Sequence, residues 1–336
     1  MNIFLTGYTG NLGPALAGAL TGHAVQALVR DPSHAPVLPH VKVVAGSFED
    51  LPLSLQGEIE VIIHSAASTA FLAPLEDLRR TNVEGTARML DFARNCPRLK
   101  KFVHVSTACV CGLRSGDIPE ARLPRPPAFV NSYEQSKWEA EELIFESGLP
   151  AEIVRLSIVA GSERDGAVRS AGALHHTLFW LWKGLIPMMP GSADTPVDLI
   201  STEYAAEVVA ACANAPLAPL RVIHGCAGDR APSLGELLTS LTTIFSTKSA
   251  AWQRGSIAAP MMVDAETFAL FEETVVQSGD LLFRRVCQDS KAFLPGLLHP
   301  RRYLTRRASE LPCREPSSDW RSLAQLVTRH VIDSRS

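Results

Sequence analysis

The feature that most restricts the fold is a glycine-rich turn close to residue 1. Residues 2–6 are apolar and predict a β-strand, residues 6–13 read TGYTGNLG, and the following PALAGAL is typical of a helix. Gly7 permits a tight turn, Gly10 lets backbone N–H groups approach a pyrophosphate, and Gly13 lets the helix pack closely on the strand. A phosphate would then lie at the helix N-terminus. We therefore interpret this segment as a dinucleotide-binding turn rather than a tight structural turn alone.

Further apolar segments predict strands that alternate with helices. The predicted strands are residues 24–29, 41–45, 58–64, 101–105, 151–156 and 221–226, and the main helical stretches are residues 74–95 and 131–147. Strands separated by helical stretches of ten or more residues imply β-α-β units and a parallel sheet covered on both faces. The predicted fold class is α/β, with a Rossmann-type doubly wound parallel sheet and a smaller, mostly helical C-terminal substrate lobe.

The end of the second strand bears on the choice of cofactor. In such units an acidic residue here holds the ribose 2′-hydroxyl of NAD, whereas an arginine can pair with the additional phosphate of NADP. Val29 takes the usual acidic position and Arg30 follows it, which favours NADP(H) over NAD(H). Asp31 keeps NAD open if the strand ends one residue later, and Arg30 would then be a solvated loop residue.

Other residues at the ends of the strands are expected to surround the cofactor. Ser47 and Phe48 follow the third strand, where the adenine edge is commonly met in such folds. Small residues after the fourth strand would let the cofactor lie against the backbone. The remaining expected contacts are Thr6, Thr9, Asn11, Leu12, Ser65, Ala66, Ala67, Ser157 and Val159.

This pattern divides the chain into four segments. An NADP-binding Rossmann core occupies residues 1–160, and residues 161–196 form an insertion that belongs to the substrate lobe. Residues 197–228 return to the core, and residues 229–336 form a C-terminal substrate or cap region.

A tyrosine and a lysine lie four residues apart at the start of the helix predicted over residues 131–147. Tyr133 and Lys137 therefore share one face of that helix. An ammonium one turn from a phenol lowers the phenol pKa, which is about 10 when unperturbed, and makes the phenol usable in proton transfer near neutral pH. An ordinary amphipathic helix can show the same spacing by chance, so the motifs before the helix decide in favour of a proton-transfer site.

In order and spacing, five motifs resemble the extended short-chain dehydrogenase/reductase family: TGYTGNLG, HSAA, TNVEGT, HVSTACVCG and NSYEQSK. The resemblance covers residues 1–228 and is greatest to the thioester reductase and fatty acyl reductase branch. It implies that Tyr133 donates a proton and that Lys137 binds the nicotinamide ribose and lowers the tyrosine pKa. It implies also that Thr107 hydrogen-bonds the substrate oxygen and that Asn82 holds the sheet and a water near the lysine, unless Asn82 only caps local backbone.

Two positions depart from the family pattern. Ser47 stands where an aspartate often contacts the adenine amine, so that contact would be lost or move to Phe48 or Asp50. Cys111 replaces a frequent tyrosine and, with Cys109, places thiols near the site. We expect these thiols to be small buried side chains rather than nucleophiles or redox groups.

Composition limits the partners. A formal net charge of -3, with 20% charged residues and no basic stripe, indicates no nucleic-acid partner. Seven cysteines without a C-x-x-C pair or a histidine cluster indicate neither disulfides nor a metal site and fit a cytoplasmic protein. The most apolar run, residues 177–182, is too short to span a membrane. A homodimer through residues 74–95 and 131–147 is expected by family analogy alone.

The substrate is the least determined feature. Basic residues at 301–307 either receive a phosphopantetheine phosphate or an acidic carrier protein, or form a solvated face. A group of apolar residues either lines an acyl or aromatic pocket or forms the core of a small cap domain: Phe179, Trp180, Trp182, Met188 and Met189.

These features together predict an NADP(H)-dependent reductase that transfers hydride to a carbonyl carbon. The substrate would be an acyl thioester, free or carrier-bound, or a related apolar carbonyl compound. The nearest alternative is a ketone or secondary-alcohol dehydrogenase of the dihydroflavonol or hydroxysteroid type. Sugar-nucleotide epimerisation is less favoured because the substrate lobe is rich in Trp, Phe and Met. A non-catalytic NADP-binding regulator would have no need of Thr107, Tyr133 and Lys137.

Overall fold

The computed structural model describes residues 1–216, 219–317 and 319–334. Its strands in chain order are β1 (Asn2–Thr6), β2 (Ala24–Val29), β3 (Val41–Ala45), β4 (Val61–His64), β5 (Lys101–Thr107), β6 (Gly116–Ile118), β7 (Ala151–Leu156), β8 (Ile158–Gly161), β9 (Met188–Pro190), β10 (Leu199–Ser201), β11 (Arg221–Gly225), β12 (Met261–Val263) and β13 (Arg301–Tyr303). Seven of them form one sheet in the order β3-β2-β1-β4-β5-β7-β11. Every neighbouring pair in it is parallel, so the predicted parallel sheet is confirmed.

Helices connect the strands and make up most of the C-terminal lobe. In chain order they are α1 (Gly13–Ala19), α2 (Leu75–Arg79), α3 (Gly85–Arg94), α4 (Ser132–Glu146), α5 (Ala173–Trp182), α6 (Thr202–Asn214), α7 (Leu234–Lys248), α8 (Ala250–Gln253), α9 (Ala265–Ser278), α10 (Leu281–Ser290), α11 (Arg306–Ser309) and α12 (Trp320–Asp333). Within the described ranges, none of these helices combines the length and the apolar character needed to cross a membrane.

Alternate residues of the central strand β1 reach opposite faces of the sheet. Ile3 and Leu5 pack in a cluster with residues of α1 and α6, whereas Phe4 packs in a second cluster with residues of α3 and α4. Strands that are apolar on both sides need helices on both faces. The doubly wound Rossmann-type arrangement is therefore confirmed.

The strand order reverses between β1 and β4, which creates a crevice at their carboxyl ends. Thr6 at the end of β1 is paired in register with His64 at the end of β4. The glycine-rich turn after β1 therefore lies beside the small residues that follow β4.

A π-helical turn interrupts the long helix predicted over residues 74–95. Arg80–Glu84 adopt this conformation between α2 and α3, and Asn82 lies buried within it. Such turns are rare and often occur at functional sites. The apolar periodicity that predicted a continuous helix does not distinguish this local widening.

A buried ion pair fixes α4 on the sheet. Arg155 of β7 donates from Nε and Nη2 to the Glu141 carboxylate of α4, at 3.0 and 2.7 Å, and both side chains are buried. Loss of either partner would leave an uncompensated charge in the core. The middle of α4 is thus held against β7.

A second apolar core lies outside the sheet, among residues of α5, α7, α9, α10 and α12. Met189 belongs to this core, and Phe179, Trp180 and Trp182 pack against it, which supports the cap-core interpretation of the apolar group. Two short strand pairs, β9 with β12 and β6 with β13, join the lobe to earlier parts of the chain. The smaller helical lobe is confirmed, while the exact boundaries of the four segments stay predictions.

Candidate active site

The glycine-rich turn fits tightly between β1 and β4 but is open at Gly10. Gly7 has φ +82°, and a Cβ there would lie 2.7 Å from the backbone nitrogen of Ala66. A Cβ at Gly13 would overlap the carbonyl oxygen of Tyr8, whereas one at Gly10 would meet only the Gly7 oxygen, at 3.2 Å. Gly7 and Gly13 are therefore required by the turn itself. Gly10 leaves exposed backbone, so the turn fits the pyrophosphate of a dinucleotide.

Two hydrogen bonds join this turn to the loop before α5. Asn11 Nδ2 donates to the carbonyl oxygen of Ser170 at 2.9 Å, and the Ser170 N–H donates to Asn11 Oδ1 at 2.7 Å. The Asn11 side chain is thus bound to the substrate-lobe insertion. Only the backbone of Asn11 is left for the predicted contact with a cofactor.

A buried chain of hydrogen bonds links the turn to α3. The Ala66 N–H donates to Thr6 Oγ1 at 3.1 Å, and Thr6 Oγ1 lies 2.8 Å from His64 Nδ1. The Thr86 hydroxyl donates to the Asn82 carbonyl at 2.7 Å, so His64 Nε2 donates to Thr86 Oγ1 at 3.1 Å. Burial lowers the pKa of His64 to about 3, so the ring is neutral with its proton on Nε2, and Nδ1 accepts from the Thr6 hydroxyl.

Asn82 clamps the loop after β4 to α4. Its Oδ1 accepts from the Ser68 N–H at 2.7 Å, and its Nδ2 donates to the Ser68 carbonyl at 3.0 Å and to Ser136 Oγ at 2.9 Å. The Ser136 hydroxyl donates in turn to the backbone carbonyl of Tyr133 at 2.8 Å. Asn82 thus positions backbone next to Tyr133, and none of these bonds reaches Lys137. Its predicted hold on a water near the lysine stays a prediction.

The helix predicted at NSYEQSK is α4, and Asn131 caps its start by accepting from the Glu134 N–H at 3.0 Å. The Tyr133 ring lies in the first turn and packs edge-on against Phe71, with ring centroids 5.0 Å apart. Burial raises the pKa of the Tyr133 phenol above its ordinary value. The Lys137 ammonium donates its hydrogen bonds elsewhere, and the expected lowering of the tyrosine pKa by Lys137 stays a prediction.

Lys137 is buried beneath the end of β5. Its Nζ donates to the Val105 carbonyl at 2.9 Å and to His104 Nε2 at 3.0 Å. Because Nε2 accepts this bond, the His104 proton lies on Nδ1, which has no hydrogen-bond partner in the described part of the chain. Burial lowers the pKa of Lys137 to about 8, and burial with the Lys137 charge lowers the pKa of His104 well below its usual value. Lys137 is thus tied to the strand that ends at Thr107.

Thr107 ends β5 and caps the short turn that follows it. Its Oγ1 accepts from the Cys109 N–H at 3.2 Å. Burial raises the pKa of Cys109 to about 12 and raises that of Cys111 as well. Both thiols stay protonated at neutral pH, which agrees with their interpretation as small, unreactive buried side chains.

The end of β2 leaves Arg30 exposed and Asp31 engaged. Arg30 forms no hydrogen bond with any described residue. The Asp31 carboxylate accepts from the Ser33 hydroxyl at 2.6 Å and from the Ser33 N–H at 3.0 Å, and these bonds lower its pKa. Arg30 is therefore the side chain with open donors at this end of the crevice.

Ser47 and Phe48, predicted beside the adenine, point in different directions. The Ser47 hydroxyl donates to Glu49 Oε2 at 2.9 Å. The Phe48 ring packs edge-on against His64, with centroids 5.5 Å apart, and lies close against Gly85. Phe48 thus supports the buried histidine from the side of α3, and contact of either residue with an adenine stays a prediction.

The other predicted cofactor contacts differ in exposure. Thr9 is exposed in the turn, whereas Leu12 is buried beneath it and can offer only backbone. The small residues after β4 and those around the start of β8 are half-buried or buried: Ser65, Ala66, Ala67, Ser157 and Val159.

Sequence reasoning missed the buried histidines and Thr86. His64 and His104 belong to the HSAA and HVSTACVCG motifs, but the motifs predicted no role for either histidine. The available signal was a polar side chain inside an otherwise apolar strand, which must find hydrogen-bond partners when buried. The partners, Thr6 and Lys137, come from distant parts of the chain.

Known proteins resemble this chain over part of their sequence. Residues 46–209 match the family model described as Male sterility protein. A hybrid PKS-NRPS synthetase of Penicillium oxalicum is 27% identical over 254 residues, with 67% of this chain and 6% of that protein covered. A putative fatty acyl-CoA reductase of Drosophila melanogaster is 28% identical over 271 residues, with 60% of this chain and 50% of that protein covered. The chain thus spans half or less of these relatives.

Solved structures share the fold over nearly the whole chain. The terminal R domain from the myxalamid PKS-NRPS biosynthetic pathway superposes with a TM-score of 0.77 at 22% identity and covers 99% of this chain and 91% of that one. UDP-glucuronic acid 4-epimerase from Bacillus cereus, solved with NAD, gives a TM-score of 0.70 at 18% identity, with 100% of both chains covered.

The sheet, the crevice and the Tyr133–Lys137 helix define an NAD(P)-binding oxidoreductase of the short-chain dehydrogenase/reductase type. Residues 46–209 match a male sterility protein domain, and the chain is of the extended type of such enzymes. The resemblance drawn from five sequence motifs is therefore confirmed.

Proposed function

We propose that the chain is an NADPH-dependent reductase of acyl thioesters, with an aldehyde or an alcohol as product. The observation that supports the proposal is the attachment of α4, which bears Tyr133 and Lys137, to β5, the strand that ends at Thr107. α4 brings Tyr133 and Lys137 to the end of β5, where Lys137 bonds the Val105 carbonyl two residues before Thr107. The relatives support a thioester, because one is a hybrid PKS-NRPS synthetase and another a putative fatty acyl-CoA reductase. The acyl group would arrive on coenzyme A or on a carrier protein.

The residues around the crevice fit the proposed cofactor. The backbone N–H groups of Asn11 and Leu12, next to the exposed Gly10, would hold the pyrophosphate, Arg30 the ribose phosphate, and Lys137 the nicotinamide ribose. Bound NADPH supplies the hydride. The preference for NADPH over NADH rests on Arg30, since the epimerase that shares the fold was solved with NAD.

Thr107 and Tyr133 supply what the substrate carbonyl needs during reduction. Negative charge develops on the carbonyl oxygen, and two hydroxyl donors stabilise it; one positioned donor is typically worth about 10²–10³ in rate. Tyr133 then gives a proton, a step worth roughly 10²–10⁴. A thioester would pass through a thiohemiacetal, which breaks its C–S bond to release thiol and aldehyde. Burial raises the pKa of Tyr133, so the phenol is protonated at neutral pH and carries the proton that it must give.

The test is turnover of a substrate panel by the purified protein with NADPH. Acyl-CoA, acyl-carrier and ketone substrates are compared by loss of reduced cofactor and by product identification, with Tyr133→Phe as the inactive control. Aldehyde or alcohol from a thioester supports the proposal. Turnover of ketones alone would replace it with a ketone reductase, and NADPH binding without any turnover would replace it with a non-catalytic role.

A further inference from the structure

β13 carries a buried arginine whose hydrogen-bonding edge has no partner. Arg301 is 9% exposed, and its Nε and Nη2 atoms are buried without a hydrogen-bond partner among the described residues. Buried polar groups cost free energy unless an acceptor satisfies them, and charged groups cost more. The unpaired edge therefore indicates a missing acceptor.

Other arginines of the same protein show what this edge of a guanidinium binds. Nε and Nη2 form one side of the planar guanidinium, and this side matches the two oxygens of a carboxylate. Four arginines bind a carboxylate in this way: Arg79 with Glu139, Arg122 with Glu142, Arg155 with Glu141 and Arg302 with Asp117. Arg301 presents the same edge with nothing bound to it.

Arg301 lies next to the turn that follows Thr107. Residues two apart on a strand project to one face, so Arg301 and Tyr303 share a face of β13. Tyr303 packs with Ala108 and Cys111, which belong to that turn. The buried face of β13 therefore packs against the turn that follows Thr107, the proposed substrate-binding residue.

The groups that act electrostatically on Arg301 also border the reaction site. They include Cys109, two residues after Thr107, and Glu134, the residue after Tyr133. The Glu134 carboxyl is buried, and its Oε2 accepts from the Val130 N–H at 3.1 Å. Burial raises the pKa of Glu134 to about 7, and the Arg301 charge opposes that increase. Glu134 is close enough to act on Arg301 but forms no ion pair with it, so the Nε–Nη2 edge stays open to a ligand.

We propose that Arg301 binds a carboxylate carried on the acyl group of the substrate. The inference rests on the proposed function, in which the thioester carbonyl lies at Thr107 and Tyr133. The substrate class is then a monothioester of a dicarboxylic acid, whose distal carboxylate takes both hydrogen bonds of the Nε–Nη2 edge. An acyl chain of equal length that ends in a methyl group would leave that edge unsatisfied.

The experiment compares coenzyme A monothioesters of dicarboxylic acids with acyl-CoA esters of the same chain lengths. The proteins are wild type, Arg301→Met, Arg301→Lys and Arg302→Met. Arg302→Met is the control, because Arg302 is the neighbouring arginine but is exposed and bound to Asp117. We expect the wild type and Arg302→Met to prefer the carboxylate-bearing ester in kcat/KM. Arg301→Met should lower that preference by about 10- to 100-fold, as for loss of hydrogen bonds to a charged group. Arg301→Lys keeps the charge without the paired donors and should fall in between.

A binding measurement separates this inference from the proposed function. Free dicarboxylates of the same lengths are titrated calorimetrically into the NADPH-loaded proteins, where turnover is not required. Binding by wild type and Arg302→Met, lost in Arg301→Met, supports the subsite even if no thioester is reduced. Equal preference and equal binding in the Arg301 variants and wild type would overturn it. If Arg301→Met fails to fold in a circular dichroism melt, an unaltered preference in folded Arg301→Lys overturns it in the same way.

Discussion

The sheet region and the C-terminal lobe bury different kinds of side chain. In residues 1–160 the core holds bonded polar groups such as His64, Asn82, Lys137 and the Glu141–Arg155 pair. In residues 229–336 the described polar side chains with comparable burial are Ser290, Arg301 and Thr328, and the rest of the core is apolar.

The difference indicates which part of the molecule carries the reaction chemistry. Polar groups are expensive to bury unless they are bonded, so a network of them marks a place whose geometry is held for a purpose. In the sheet region that network surrounds Tyr133 and the dinucleotide turn. The lobe supplies an apolar cover, and among its described residues Arg301 is the buried charged side chain.

If the sheet region carries the reaction chemistry, turnover must depend on Tyr133. Tyr133→Phe removes only the hydroxyl and leaves the ring packed on Phe71, so we expect kcat to fall roughly 10²–10⁴-fold with NADPH binding unchanged. Steady-state kinetics and a fluorescence titration of NADPH measure the two quantities. Tyr204→Phe, at a buried tyrosine of α6, is the matched control and should keep its activity. Equal activity of wild type and Tyr133→Phe would remove Tyr133 from the mechanism.

Ion pairs of the two regions should differ strongly in their contribution to stability. Glu141→Ala leaves the buried Arg155 uncompensated, and we expect the free energy of unfolding to fall by about 3–5 kcal/mol. Lys248→Ala breaks a pair with Asp333 that joins α7 to α12 at the surface, and its effect should stay below about 1 kcal/mol. Urea unfolding of the two variants gives both values. Similar losses would show that the lobe depends on its polar pairs as much as the sheet region does.

The sequence allowed prediction of elements whose residues are adjacent along the chain. The parallel sheet followed from apolar strands between helices, and the turn at Gly7 and Gly13 followed from spacing. The place of the Lys137 ammonium did not, because its partners His104 and Val105 lie on another strand.

The lobe was harder to predict for a physical reason. Its apolar side chains are interchangeable in a core, so their pattern predicts helices without predicting what they cover. The basic run at 301–307 illustrates this limit. Arg301 is buried and Arg302 is exposed on the same short strand, and only the pairing of β13 with β6 decides which is which.

Burial of Lys137 predicts a pH dependence of stability. Its pKa is lowered from 10.5 to about 8, chiefly by burial, so between these values the unfolded chain binds a proton that the folded chain lacks. The free energy of unfolding should therefore rise with pH in that window, by at most about 1.4 kcal/mol per pH unit, relative to Lys137→Met. Below about pH 8 the difference between the two proteins should be flat. Urea unfolding at a series of pH values measures it, and a flat difference throughout would mean that the lysine is not held in a buried site.

The smallest expected effect lies at the outer edge of the sheet region, where Arg30 is exposed. Arg30→Ala should weaken NADPH binding by about tenfold and leave NADH binding unchanged, because a single solvated charge is lost. Arg98→Ala is the matched control. Arg98 is an exposed arginine just before β5, at the amino ends of the strands, whereas the crevice lies at their carboxyl ends. Calorimetric titration of both cofactors into the three proteins separates the outcomes. An equal loss for NADPH and NADH would assign Arg30 to general attraction of the dinucleotide and leave the 2′-phosphate without a binding residue. A loss confined to NADPH would extend the polar, function-bearing part of the molecule from the buried network to its surface.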